Sequence, residues 1–274
     1  MNKELLSEKI EYAKDLSFET IASESGTLFT KAWGQGVLGS LLIVLFSIVV
    51  GIVCFIPYTT TLVFLGITSD YTDFHLSNDE RMRIVSYIFG GLFFVLVSAV
   101  FIAVSAAFCR ICKMKDHNKQ GYYDYYYFLK RKYFSKLFML GALSAAIIVP
   151  SVYYLSYIPL VYLSVPIAFF IVILAFNPEL KAKEIISLGF QLGTEKWLLS
   201  IGFMLIVGFI SMIAGVILCG FGFVFTMTLI NLPLYFIYKH IIEFDDEKPI
   251  DSYQEKTDLI IQKLHDYKRP IKKR

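Results

Sequence analysis

The chain has 274 residues, of which 56% are apolar, 16% aromatic and 18% charged, against roughly 25% charged in an ordinary soluble domain. Its net charge of +3 is small. Length alone allows one or two soluble domains, but the placement of the charges excludes them. No Asp, Glu, Lys, Arg or His occurs in 37–69, 84–108, 137–178 or 197–238.

An uncharged apolar run of about 18 residues or more is long enough to cross a bilayer as a helix. Two of the windows are about twice that length with turn signals near the middle, so each reads as a helical hairpin. The expected fold class is therefore all-α: a polytopic membrane protein with about six transmembrane helices in three hairpins and amphipathic in-plane helices on the cytoplasmic side. Three regions follow: a cytoplasmic amphipathic segment 1–34, a six-span domain 35–242 and a charged cytoplasmic tail 243–274.

Residues 1–36 mix acids and bases and lack the basic head and apolar core of a signal peptide. The first span is expected to act as an uncleaved signal anchor. Before it, Phe18, Ile21, Ala22, Ser25, Leu28, Phe29 and Trp33 recur at three- and four-residue steps, which predicts an amphipathic helix lying at the headgroup level. Spans are expected at 35–57, 84–111, 137–155, 158–177, 197–219 and 221–242. The second is long enough to tilt or project from the membrane, and its Ala99, Ala103 and Ala107 form a small-residue row for close packing. Ser211 and Gly215 do the same in span five. Such rows suit packing within one chain, against a second copy, or against a membrane-protein partner.

Between spans two and three, Gly121–Phe134 combines a tyrosine cluster with Lys130, Arg131 and Lys132. Beside a membrane this predicts an interfacial belt, with Tyr125 and Tyr126 at the lipid boundary and the bases on anionic headgroups; nucleic acid is not the expected partner. Tyr122–Tyr133 is a weak third copy of the in-plane segment. Between spans four and five, Asn177 is placed as an N-cap, Pro178 at the first helical position and Glu179 in the first turn. The apolar face of that helix is Ala182, Ile185, Ile186, Gly189, Leu192 and Trp197. In span six, Asn231 is an intramembrane polar residue and Pro233 predicts a kink two residues later. Asn231 reads as interhelical glue or as a substrate contact at a broken helix. The tail carries a short amphipathic pattern at Tyr253, Ile260, Ile261 and Leu264.

A shift of 164 residues aligns 18–56 with 182–220, with identities at eight of 39 positions, including Trp33 with Trp197 and Gly51 with Gly215. Both copies place an amphipathic segment before a Trp at the membrane edge and a glycine-bearing span after it. Orientation follows from Lys and Arg: 24 fall on the side of the termini and two, Arg81 and Arg83, on the other. The positive-inside rule puts both termini in the cytoplasm.

Chemistry is sparse. The four His, at 75, 117, 240 and 265, have no two at ligand spacing. Cys109 and Cys112 have C-x2-C spacing with His117 beyond, but read as small apolar residues on a helix. No GxSxG, HExxH or phosphate-binding glycine loop occurs. No catalytic residue, cofactor or metal is expected.

The segment Asn177-Pro-Glu-Leu-Lys-Ala-Lys-Glu-Ile-Ile-Ser through Thr194-Glu-Lys-Trp resembles a broad bacterial group of uncharacterised six-helix membrane proteins, and is similar to the membrane region of some glycerophosphodiester phosphodiesterases. The opening Ala13-Lys-Asp-Leu-Ser-Phe-Glu-Thr-Ile through Lys31-Ala-Trp resembles Bacteroidetes proteins often labelled beta-carotene monooxygenase. The resemblance implies a six-span fold in the bacterial cytoplasmic membrane and no mechanism. The expected role is non-enzymatic: a scaffold or accessory factor, or a carrier of an apolar or lipid-like molecule. The alternative is a membrane enzyme acting on a lipid or carotenoid.

Overall fold

The structure, a computed structural model, describes residues 3–13, 15–64, 80–118, 123–153, 157–218, 220, 222, 226 and 228–242. The charged tail, with its expected amphipathic pattern, lies outside the described residues. Every regular element among those described is a helix. In chain order they are α1 (Lys3–Glu11), α2 (Phe18–Phe64), α3 (Glu80–Asp116), a 3₁₀ turn (Arg131–Tyr133), α4 (Phe134–Tyr153), α5 (Tyr157–Phe176), α6 (Ala182–Glu195), α7 (Trp197–Ile217) and α8 (Asn231–Ile242). Four helices are long and apolar enough to cross a membrane, at Phe18–Phe64, Glu80–Asp116, Arg131–Ser151 and Trp197–Ile217; Leu160–Phe176 is a shorter apolar helix. This is the architecture of an all-α membrane protein.

Polar contacts gather one end of every long helix. Glu24 near the start of α2 meets His240 near the end of α8 at 2.6 Å. Asp116, the last residue of α3, accepts from Lys239 at 2.6 Å and from Tyr235 at 2.9 Å. Lys136 at the start of α4 donates to the Pro178 carbonyl just beyond α5, and Lys196 before α7 donates to the Ala13 carbonyl. The N-terminal ends of α2, α4 and α7 therefore meet the C-terminal ends of α3, α5 and α8. We call this the basic end.

The core sits there. Ile102–Cys112 of α3, Phe169–Ala175 of α5 and Asn231–Tyr238 of α8 are buried without interruption. Helices buried on every side need no polar face, which is why these stretches show no amphipathic period. Backbones approach closely where glycine permits. A Cβ on Gly141 of α4 would lie 2.6 Å from the Val95 carbonyl oxygen and 3.1 Å from the Ala99 Cβ of α3. A Cβ on Gly193 of α6 would lie 2.7 Å from Pro166 Cα of α5. Ala99, expected to pack helices, does so.

Several expectations need correction. The amphipathic segment at 18–33 is not a separate helix, because α2 runs unbroken for 47 residues. That is about 70 Å at 1.5 Å per residue, more than twice a hydrocarbon core of about 30 Å. Gly34 and Gly36 weaken the helix but supply no stop, and Gly36 faces the Thr228 hydroxyl. In the second copy the break is real: α6 ends at Glu195 and α7 starts at Trp197. The predicted apolar face of α6 holds at Ala182, Ile185, Gly189 and Leu192, while Ile186 is half-buried and Trp197 belongs to α7. It packs on α5 rather than on lipid: Ile185 and Leu192 are fully buried and Gly189 abuts Phe170. Asn177 is not the N-cap of α6. Its side chain donates to the Tyr238 hydroxyl, and the helix begins after Lys181, whose backbone N–H is held by Glu184 at 2.7 Å. Residues 125–133 form turns and a 3₁₀ turn, not a third amphipathic helix.

Candidate functional site: an apolar cavity at a half-height helix

The sixth apolar window differs most from its expectation. Gly222 and Thr226 are helical, residues 228–230 are a turn, and the regular helix α8 begins after that turn at Asn231. Twelve residues rise about 18 Å, a little over half of the hydrocarbon thickness. Pro233 then falls in the first turn, where its missing N–H costs nothing, so it favours the start of a helix rather than kinking one. Asn231 N–H and Leu232 N–H bond back to the Thr228 and Leu229 carbonyls. The Asn231 side-chain amide also donates to the Thr228 carbonyl, 3.1 Å away. The bonds between helices come one turn earlier: Thr228 Oγ1 donates to the Gly36 carbonyl at 2.9 Å and lies 3.4 Å from Ser40 Oγ. Asn231 Oδ1 is buried with no partner, at a cost of about 1–3 kcal/mol.

A cavity of about 750 Å³ lies at mid-bundle, bordered by this helix start. Its walls are Ile43–Gly51 positions of α2, Phe93–Ile102 positions of α3, Ser144 and Ile148 of α4, Leu160–Ile171 positions of α5, Met204 of α7, and Ile230 with Asn231. Ile43, Ile102, Ser144, Ile171 and Asn231 are buried, whereas Ile48 of α2 is 56% exposed, so the lining runs from the core to the outer face of α2. Among the described residues no charged side chain lines it, and the polar ones are Ser47, Ser98, Ser144, Ser164 and Asn231. Its volume lies within the range of about 300–1,000 Å³ common for ligand sites, and an apolar wall with few polar groups is their usual chemistry.

The residues expected at the lipid boundary divide. Trp33 is 58% exposed and faces outward. Trp197 is half-buried, stacks on Tyr162 and donates its indole N–H to the Tyr162 carbonyl at 3.1 Å. Tyr126 is exposed. Tyr125 is buried instead, because its hydroxyl donates to the Gln35 carbonyl at 2.7 Å, and burial pushes its phenol pKa up. Phe128 and Tyr133 join the core. Arg110 of α3 lies over the Tyr127 ring at 3.9 Å, so part of the aromatic cluster receives a core cation rather than a headgroup. Lys130 pairs with Asp124 at 3.1 Å, Lys132 with Glu179 at 3.8 Å, and Arg131 is exposed. Cys109 and Cys112 are buried core thiols. Among the described residues no three His, Cys, Asp or Glu side chains come together.

Sequence reasoning found Asn231 and Pro233 but not the cavity. The serines at 47, 98, 144 and 164 are scattered over four helices and share no spacing. The detectable signal was polarity and a proline in one otherwise apolar window. No family model, curated protein or solved structure matches the chain.

Proposed function

We propose that the protein is a non-enzymatic component of the cytoplasmic membrane that binds an apolar or lipid-like molecule in the mid-bundle cavity, as a carrier. The observation that carries this reading is an apolar cavity of about 750 Å³ between the long apolar helices, with no charged side chain among the described residues that line it. A scaffold has no need of such a volume, and close packing would fill it. In this reading the chain crosses the membrane six times, with 221–242 as the last crossing, broken at Asn231. The 24-to-2 division of Lys and Arg supports cytoplasmic termini, and the exposed Arg131 supports contact with anionic headgroups at the basic end.

The test is composition. Protein purified in mild detergent, then extracted, is expected to yield about one apolar molecule per chain. Filling the cavity with Ala168→Phe should lower that yield while leaving the protein monodisperse. Wild-type protein that carries no more lipid than Ala168→Phe would refute the carrier reading. Reporters fused after residues 70 and 274 should report opposite compartments; the same compartment for both would refute the orientation.

A further inference from the structure

Three of the serines that border the cavity place their protons within the protein. Ser47 donates its proton to the Ile43 carbonyl at 2.7 Å, Ser144 to the Leu140 carbonyl at 2.9 Å and Ser164 to the Val161 carbonyl at 2.8 Å. The Ser47 and Ser144 protons are engaged within their own helices, the Ser164 hydroxyl also reaches Met204 Sδ of α7 at 3.9 Å, and each hydroxyl retains a lone pair. Asn231 directs its amide to Thr228, and its Oδ1, an acceptor only, has no partner. The side chain is wholly buried and borders the cavity. Among the described residues Ser98 completes the hydroxyls of the lining, and no Lys, Arg or His borders the space.

We infer that the cavity selects apolar molecules bearing a free hydroxyl, such as a long-chain alcohol or a neutral lipid with an unesterified hydroxyl group. The inference rests on reading the cavity as a lipid-like ligand site and adds the class of ligand. A hydroxyl brings a proton to Asn231 Oδ1, the buried acceptor that has no partner within the protein. A carboxylate or phosphate would bring negative charge into a space lined by acceptors, with no cation to meet it. A pure hydrocarbon or an ether would fill the volume but leave Asn231 Oδ1 unpaired.

Three photoreactive probes with the same long diazirine-bearing chain, ending in a hydroxyl, a methyl ether or a carboxylate, separate these cases. Each is added to full-length protein in nanodiscs of neutral phosphatidylcholine, irradiated, and the labelled peptides are read by mass spectrometry. The alcohol is expected to label the walls around Val97, Phe101 and Met204 about fivefold more than the ether, the effect of one net hydrogen bond. The carboxylate should label them least. Asn231→Leu should bring the alcohol down to the level of the ether and leave the ether unchanged. Equal labelling by alcohol and ether in the wild type, or stronger labelling by the carboxylate, overturns the selectivity and leaves the cavity reading standing. A folded Asn231→Leu variant that keeps the preference overturns the role of Asn231. Labelling of the walls by no probe overturns the cavity reading itself. Should Asn231→Leu fail to fold, the wild-type ratio of alcohol to ether decides alone.

Discussion

The two ends of the bundle are made of similar residues and are stabilised differently. At the basic end, Phe108, Phe169, Tyr235 and Tyr238 are buried in protein, and the charges on the helix ends are paired. At the far end, Leu205, Phe209 and Val216 of α7 and Ile52, Phe55 and Phe64 of α2 are exposed and apolar on every side. No such surface is tolerated in water, where exposed apolar patches are limited to a few hundred Å². In a bilayer it costs nothing. The basic end is therefore held by packing and the far end by its solvent, and the cavity lies where one regime gives way to the other.

The comparison breaks most sharply at α7. Phe209 is 65% exposed near the middle of the helix, and Phe209→Asp should cost about 3 kcal/mol of membrane insertion. A glycosylation or reporter assay of insertion checks it; normal insertion would mean that this face meets protein or water. Next comes Gly193. A side chain there meets Pro166 backbone atoms that cannot yield, so Gly193→Ala should cost about 1–3 kcal/mol. Gly208→Ala, on the open face of α7 with nothing within 4 Å, should be neutral or slightly stabilising. Thermal unfolding followed by size-exclusion fluorescence should separate the two variants, and equal losses would erase the distinction between the ends. Smaller still, Tyr125→Phe removes one hydrogen bond to Gln35, about 1 kcal/mol. It also carries a pH signature. Burial raises the phenol above its ordinary value of 10.0, so the folded chain keeps a proton that the unfolded chain loses. The stabilising contribution is complete below pH 10 and is lost as pH rises through the folded value, and Tyr125→Phe should flatten part of that loss. The smallest effect is expected for Leu205→Ala, on the lipid-facing surface of α7, within about 0.5 kcal/mol of wild type.

What could be read in the sequence was local. The uncharged windows gave the long apolar helices, because hydrogen-bond satisfaction in lipid leaves the helix as the form such a stretch can take. The face of α6 was legible at Ile185, Gly189 and Leu192, since amphipathicity is a short-range pattern. Its partner was not. A face that avoids water fits a headgroup layer or a neighbouring helix equally well, and only Gly193 against Pro166 decides between them. The uninterrupted run of α2 was missed because the change at Trp33 from an amphipathic to a wholly apolar pattern reads as a boundary, although the backbone continues through it and glycines at 34 and 36 cost only about 1 kcal/mol each in a helix. The site was missed for a different reason. Thr228 meets Gly36 across 192 positions and Ser144 meets Asn231 only through a shared volume, and no periodicity encodes either.

α1 has a consequence for the order of assembly. Leu6 and Ile10 are buried among α6 and α8, Ser7 exchanges hydrogen bonds with Gln191, and Lys9 donates to the Ile242 carbonyl. α1 is thus completed by residues that lie 184 and 233 positions further along the chain. At about 5–20 residues per second, on the order of ten seconds or more of synthesis separates it from those partners. During that interval the nascent chain holds an apolar stripe with nothing to cover it, while α2 has already entered the membrane. Closure of the basic end accordingly waits for α8: the apolar stripe of α1 stays uncovered until that helix is made, and a chain interrupted before Asn231 would present both surfaces to quality control.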